Sequence, residues 1–179
     1  MTRLILGIDP GTTESGICLI EAGEFNQVNI QRAEKVPNLE VRRFIQAWRH
    51  KGWQIACEGM VYQGQGFGAE SIKTCYEIGR LMQLCSQLGL GFTIYSRREY
   101  GRFFVPEGTL NDATLRASLE QIFGPSSKKL DPLFLLRGAS DKRSAFAVAK
   151  YHQHRITIPD YVPPADLIDE SQDLQTSEG

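Results

Sequence analysis

Histidine is scarce, with 3 among 179 residues, and the 4 cysteines (Cys18, Cys57, Cys75 and Cys85) show no CxxC spacing. A zinc site built on sulfur and imidazole is therefore not expected. Nor is a disulfide framework implied in a chain of this length. Three of the four cysteines lie within apolar stretches and read as small buried hydrophobes. His152 and His154 are two residues apart, on different faces of a helix, which is poor metal spacing. They and His50 read as surface or core residues. No apolar run approaches the roughly 18 residues of a membrane span, so a membrane is not an expected partner. The opening Met1 to Asp9 lacks the form of a signal peptide, because Gly7 and Asp9 end its apolar stretch too early. The expected location is cytoplasmic. Charge of one sign is also not in excess, the net being −1.

That near-neutral total hides an asymmetry. From Asp160 onward there are six acids and no Lys or Arg, so the first 159 residues hold 20 bases against 15 acids and carry +5. A mildly basic body permits a phosphate-binding surface. The expected organisation is one domain over residues 1–158 followed by an acidic, disordered tail over 159–179, where Pro159, Pro163 and Pro164 precede a polar end.

Leu4 to Asp9 is a short apolar run closed by Pro10-Gly11, which reads as a buried strand and turn. Gly16–Glu21 reads as a second strand and Asn26–Ala33 as a third, joined by links short enough for antiparallel pairing. Pro37-Asn38 opens a helix to about Arg49. Trp53–Glu58 is a fourth strand. A long helix follows from about Ala69 to Leu88, with Ile78, Met82, Cys85 and Leu88 as its apolar face. Gly91–Tyr95 is the fifth strand. Asn111 or Asp112 caps a helix containing Leu115, Leu119 and Ile122, and Ser140 caps a last helix to about His152. A three-strand meander followed by crossover-connected parallel strands implies an α/β fold: a mixed five-stranded sheet flanked by helices, as in RNase H-like proteins.

Three carboxylates occupy telling places. Asp9 ends the first strand, Glu58 ends the fourth, and Asp141 sits in the first turn of the last helix, on one stripe with Ala145 and Val148. If strands one and four are neighbours, the three acids meet at one end of the sheet. Such a cluster is costly without a cation. An all-oxygen donor set favours a hard ion, Mg²⁺ or Mn²⁺, and carboxylate-held magnesium suits two-metal phosphodiester hydrolysis. Plainer readings exist: Asp9 as a turn residue, Asp141 as a helix N-terminal acid. A glutamate closing a buried strand before Gly59 has little structural purpose.

These residues resemble the RuvC family of Holliday-junction resolvases. Gly7-Ile8-Asp9-Pro10-Gly11-Thr12-Thr13-Glu14-Ser15-Gly16 looks like its opening strand and turn. Cys57-Glu58-Gly59-Met60-Val61-Tyr62, followed by a glycine-bearing loop and a long helix, resembles its second acidic segment. Ser140 to Ala149 resembles its C-terminal acidic helix. The resemblance covers roughly residues 3 to 153. It implies an RNase H-like homodimer that cuts four-way DNA junctions with Mg²⁺ or Mn²⁺, with Asp9, Glu58 and Asp141 at the catalytic, metal-binding positions. The family's fourth carboxylate position is Ser144 here, so its metal contact is expected to be weak or water-mediated and a second ion weakly bound. A lysine that the family carries near Asn111-Asp112-Ala113 is also missing; Arg102, Arg116, Lys142 or Arg143 would have to substitute. The pattern is closer to divergent, phage or mobile-element relatives.

Candidate DNA contacts are Lys73 and Arg80 on the long helix, Arg97, Arg98 and Arg102 after the fifth strand, and Lys142 and Arg143 beside Asp141. Arg42, Arg43 and Lys51 read as solvated surface charges. The loop Tyr62 to Gly68 carries three glycines and two aromatics, and Tyr62 or Phe67 is placed to stack on bases at a branch point or to cover the end of the core. The acids serve any phosphodiester. A YqgF-like RNA-processing nuclease, a flap or R-loop nuclease, and a catalytically weak junction-binding module therefore remain as alternatives.

Overall fold

Side chains alternate across the first strand, β1 (Arg3–Asp9), with Leu6 and Ile8 on one face and Ile5, Gly7 and Asp9 on the other. Both faces are covered, and this fixes the architecture. The computed structural model describes residues 3–49, 52–60 and 68–157. β1 lies at the centre of a five-stranded sheet of order β3-β2-β1-β4-β5. β2 (Glu14–Ala22) and β3 (Ile30–Pro37) complete an antiparallel meander, while β4 (Gln54–Gly59) and β5 (Gly91–Ser96) run parallel to β1. This is the mixed sheet expected from the sequence.

On one face lie α1 (Asn38–Trp48) and α2 (Ala69–Gln87). They cover Leu6, Ile8, Ile17, Leu19, Ile55 and Cys57 with Val41, Ile45, Ile78, Leu81 and Cys85. On the other lie α3 (Arg97–Phe104), α4 (Asp112–Phe123) and α5 (Ser140–Thr157), packing Tyr100, Phe104, Leu115, Leu119, Phe123 and Ala145–Ala149 against Ile5, Cys18, Ile20 and Ala56. Burying each large aliphatic side chain contributes roughly 1.5–3 kcal/mol, so the two clusters together supply the driving force. Cys18, Cys57 and Cys85 are buried free thiols, as expected; Cys75 is exposed. Among the described residues, no helix is long and apolar enough to cross a membrane.

Several local expectations are corrected. β3 begins four residues later than the predicted Asn26. The polar groups of the preceding loop are used elsewhere: Lys150 donates to the Gln27 carbonyl (3.0 Å) and Gln153 to that of Gly23 (2.7 Å), tying the loop to α5. On α2, Met82 is exposed and the buried face is Thr74, Glu77, Ile78, Leu81 and Cys85. A buried glutamate, ion-paired to Arg42 of α1, rotates that stripe, so Arg42 is an interhelix partner and not a free surface charge. On α4, Ile122 faces out and Phe123 faces in. Helix α3 was not foreseen. His50, Lys51 and residues 159–179 lie outside the described residues.

His152, on the buried side of α5, receives the Tyr95 hydroxyl at Nδ1 (2.9 Å) and meets Gln54 Oε1 at Nε2 (2.9 Å). Both bonds suit a neutral ring that carries its proton on Nε2. Burial, aided by Arg3, pushes its pKa down from 6.5 to about 4. The unfolded chain therefore takes up a proton near pH 6.5 that the folded protein refuses until about pH 4. The wild type loses stability as pH falls through that window, by up to ~3 kcal/mol. His152→Gln is expected to be less stable than wild type at pH 7.5 by about 1–3 kcal/mol, with the gap narrowing by pH 4.5. Urea denaturation at both pH values measures this; a constant or widening gap contradicts the assignment.

Candidate active site

The carboxyl ends of β1 and β4 meet beneath the N-terminus of α5, and the register explains why. Asp9 pairs with Gly16 of β2, and Gly16 with Lys35 of β3. On the other side Ile8 pairs with Cys57, bringing Glu58 next to Asp9 on the same face. A row of Lys35, Gly16, Asp9 and Glu58 thus crosses the sheet. The absence of a side chain at Gly16 lets α5 down onto this row. A Cβ there would lie 2.4 Å from the Asp141 carbonyl oxygen, and one at Gly7 only 1.9 Å from that of Ala145. The first turn of α5 therefore rests directly on the sheet backbone, holding Asp141 and Ser144 beside Asp9.

The turn after Asp9 is pinned as well. Buried Ser15 donates to Asn38 Oδ1 (2.7 Å), Asn38 Nδ2 donates to the Gly11 carbonyl (3.0 Å), and the Asn38 amide donates to the Thr13 carbonyl (2.9 Å). Each polar group in this buried corner has a partner, which makes the turn rigid.

The electrostatics are those of crowded negative charge. Burial first, then the charges of Glu58 and Asp141, push the Asp9 carboxyl up to about 8, against the opposing pull of Arg97 and Ser144. Burial also raises Glu58, although Tyr100 and Arg97 oppose it. Asp141 goes the other way. Burial pushes it up, but Lys35 at 2.7 Å and the Ser140 hydroxyl at 3.1 Å outweigh that, and it falls below its ordinary value. Glu58 accepts from the Tyr100 hydroxyl (2.5 Å) and faces Arg97 at 3.7 Å. Among the described residues, no three His, Cys, Asp or Glu side chains close on a common point able to hold an ion. Two of the three acids are instead turned to resident partners. The donor set still suits a hard cation: it is all oxygen, and burial together with the charges of Glu58 and Asp141 raises the Asp9 carboxyl, a cost that a bound cation would relieve.

Comparison with solved structures now bears on this arrangement. The Thermus thermophilus RuvC structure superposes with a TM-score of 0.68 at 15% identity, over 90% of this chain and 100% of that one. T. thermophilus RuvC in complex with Holliday junction substrate gives 0.69 at 15% identity, over 90% and 99%. The fold is RuvC-like. No family model matches the chain, and no curated protein matches it by sequence.

On this RuvC-like frame the candidate DNA contacts are dispersed. Arg97 lies within the site, bonded to Ser144, Tyr100 and Asp112. Lys142 and Arg143 flank Asp141, donating to the Leu135 (2.8 Å) and Leu136 (3.4 Å) carbonyls. Arg98 is exposed at the start of α3. Arg102 is engaged with the carbonyls of Val105 and Gly108 and fixes the loop after α3. Lys73 pairs with Glu70 at the start of α2, which also meets Thr12 of the first turn, so it stays near the site. Arg80 sits seven residues further along, about 10 Å away, beside Glu77. Tyr62 and Phe67 lie outside the described residues.

Sequence reasoning missed Tyr100 and Lys35. Tyr100 belongs to α3, whose start is marked by a capping box, Ser96 and Glu99 bonding each other's backbone N–H. The Ser-x-x-Glu spacing was a readable signal for it. Lys35 was lost with the misplaced end of β3.

Two glycine substitutions test the seating of α5. Gly7→Ala drives a Cβ into backbone that cannot swing aside, and is expected to cost about 3 kcal/mol or more. Gly79→Ala, on α2 with nothing within 4 Å, is expected to be neutral or stabilising by up to ~1 kcal/mol. Denaturant midpoints for the pair check this; equal effects would contradict the close approach of α5.

Proposed function

We propose that this chain is a metal-dependent endonuclease that cuts branched DNA, with a four-way junction as substrate, and that Asp9, Glu58 and Asp141 carry the chemistry. The observation that carries the reading is that Asp9, Glu58 and Asp141, from β1, β4 and α5, lie at one end of the sheet within reach of each other's charge, with Asp9 raised by burial first and then by its like-charged neighbours, on a RuvC-like fold. One solved neighbour on that fold is a complex with Holliday junction substrate.

Asp9, Glu58 and Asp141 would hold Mg²⁺ or Mn²⁺, with Ser144 as a weak or water-mediated contact. Bound there, the ion supplies the missing positive charge and polarises water and phosphate oxygens. The chain's own residues supply the rest. Arg97, half-buried with a fixed guanidinium, matches the planar oxygen pair of a phosphate. Lys142, Arg143, Arg98 and Lys73 neutralise flanking phosphates and set the register on the DNA without reading sequence. Tyr100 orients Glu58 by its hydroxyl hydrogen bond. Lys35 holds Asp141 until a stronger cation competes; as an exposed pair its own contribution is small.

The first test is cleavage of a labelled four-way junction with Mg²⁺ or Mn²⁺, beside a flap, a linear duplex and Asp9→Asn. Paired symmetric nicks are expected, falling by at least ~100-fold in the variant, the upper range for losing even a residue that only supports a metal site. A specific observation favours a second reading. Two acids are already engaged by Lys35 and Arg97, and position 144 lacks a carboxylate, which suits a junction-binding module with little catalysis. Tight junction binding with no cutting at any metal concentration would select it.

A homodimer is part of the proposal, since two sites are needed for paired cuts. Ile72, Tyr76 and Met82 stand exposed on one side of α2, opposite its buried face. Tyr76→Glu is expected to shift the sedimentation coefficient from dimer to monomer without loss of helicity. A wild-type monomer at all concentrations tested would contradict this part.

A further inference from the structure

Position 144 is buried, only 2% exposed, and its hydroxyl does not face an empty space. Arg97 Nη1 lies 2.6 Å from Ser144 Oγ and 3.0 Å from the Tyr100 hydroxyl, and 3.7 Å from Glu58 Oε2. Its Nη2 lies 2.5 Å from Asp112 Oδ1. One guanidinium is thus ringed by four oxygens from β4, α3, α4 and α5. Its position is built, not incidental: Arg97 is the first residue of α3, whose start is locked by the Ser96–Glu99 capping box. The lateral carboxylate, Asp112, begins α4 behind a second capping box.

The charges agree with the geometry. Asp9, Glu58, Asp141 and Asp112 carry −4 when ionised and Arg97 brings this to −3, so that with Arg97 in place a second divalent ion would leave the cluster net positive. Lys35 does not change this count, because it is an exposed side chain on a flexible stem that water can replace. Arg97 is different, its planar fork being held by the Asp112 carboxylate and the Ser144 and Tyr100 hydroxyls, with Glu58 facing it at 3.7 Å.

We propose that Arg97 is the built-in cation of the Glu58–Ser144 side of the site, standing where a second divalent ion would otherwise be held, so that the chain binds a single Mg²⁺ or Mn²⁺. The serine at position 144 and the arginine at position 97 are then one adaptation. A carboxylate at 144 would collect a metal ion, whereas a hydroxyl accepts a hydrogen bond from a guanidinium and needs no further charge. This inference rests on the metal-dependent reading above, and it replaces the expectation that a second ion is merely weak with the claim that its place is filled.

The test counts bound Mn²⁺ per full-length chain from the loss of the free-ion electron paramagnetic resonance signal at saturation. Wild type is expected to bind one. Ser144→Asp alone is expected to stay at one, because the new carboxylate pairs with Arg97. The double variant Ser144→Asp with Arg97→Ala is expected to rise to two. Should removing Arg97 unfold the protein, as seen by circular dichroism, Arg97→Gln in the same double variant keeps a neutral hydrogen-bonding side chain there and gives the same expected count. Two ions in the wild type would overturn the inference while leaving the nuclease reading intact. A rise to two in Ser144→Asp alone would place the limit at the missing carboxylate and overturn the role of Arg97, as would a folded double variant that stays at one. No binding in the wild type would overturn the metal-dependent reading and the inference with it.

Discussion

Everything at the candidate site depends on the direct contact between the first turns of α5 and the backbone of β1 and β2. Stacked layers of secondary structure are normally held apart, about 10 Å for two sheets, by the side chains between them. Here Gly7 and Gly16 remove two of those side chains, and Ala145 and Ala149 keep the facing helix thin. The helix descends until its carbonyls touch the sheet. Asp141 and Ser144 are thereby lowered to the level of Asp9, whose own position is fixed by strand register. Had those glycines carried even a methyl group, the acids would share a face of the protein without sharing an electric field.

Bringing the acids together creates an electrostatic problem that the surrounding elements answer in two ways. Asp9, at the centre, is pushed up to about 8 by burial and by the charges of Glu58 and Asp141, which Arg97 and Ser144 only partly offset. Its two companions are steadied from outside: Asp141 by Lys35 across the sheet, Glu58 by Tyr100 and Arg97 from α3. The two resident cations differ in kind. Lys35 is exposed and exchangeable, whereas Arg97 is clamped by capped helices on both sides. A cation entering from solvent competes with the first and must accommodate the second. The local chemistry is therefore set as much by β3 and α3 as by the strands that carry the acids.

The central strands were legible because their signals are local: apolar runs of five or six residues, each closed by a carboxylate and a Pro-Gly or Gly turn. Link lengths implied the antiparallel meander, whereas the adjacency of β1 and β4 stood only as a condition, which the register meets. Asp141 was legible because it shares a helical stripe with Ala145 and Val148. What failed was what depends on tertiary partners. The polar residues 26–29 resemble a strand in pattern, yet the Gln27 carbonyl bonds to Lys150, and the Gly23 carbonyl just before them to Gln153, on a helix more than a hundred residues away. Moving the strand by four residues is what concealed Lys35. Arg97 was picked out as a phosphate contact from its charge and its place after the fifth strand, near the acids. Its hydrogen bond to Ser144, 47 residues distant, belongs to the packing of α3 on α5, which no window of sequence contains. Glu77 misled for a related reason: a buried charge reads as a polar face until its partner, Arg42, is known.

The most direct measurement is the location of bound manganese in a crystal of the wild-type protein, by anomalous scattering at the manganese edge. The account predicts one peak per chain, ligated by carboxylate oxygens from among Asp9, Glu58 and Asp141, with the Lys35–Asp141 pair opened and Arg97 still bonded to Ser144. A peak elsewhere on the chain, or none while both ion pairs stay closed at saturating metal, would contradict it.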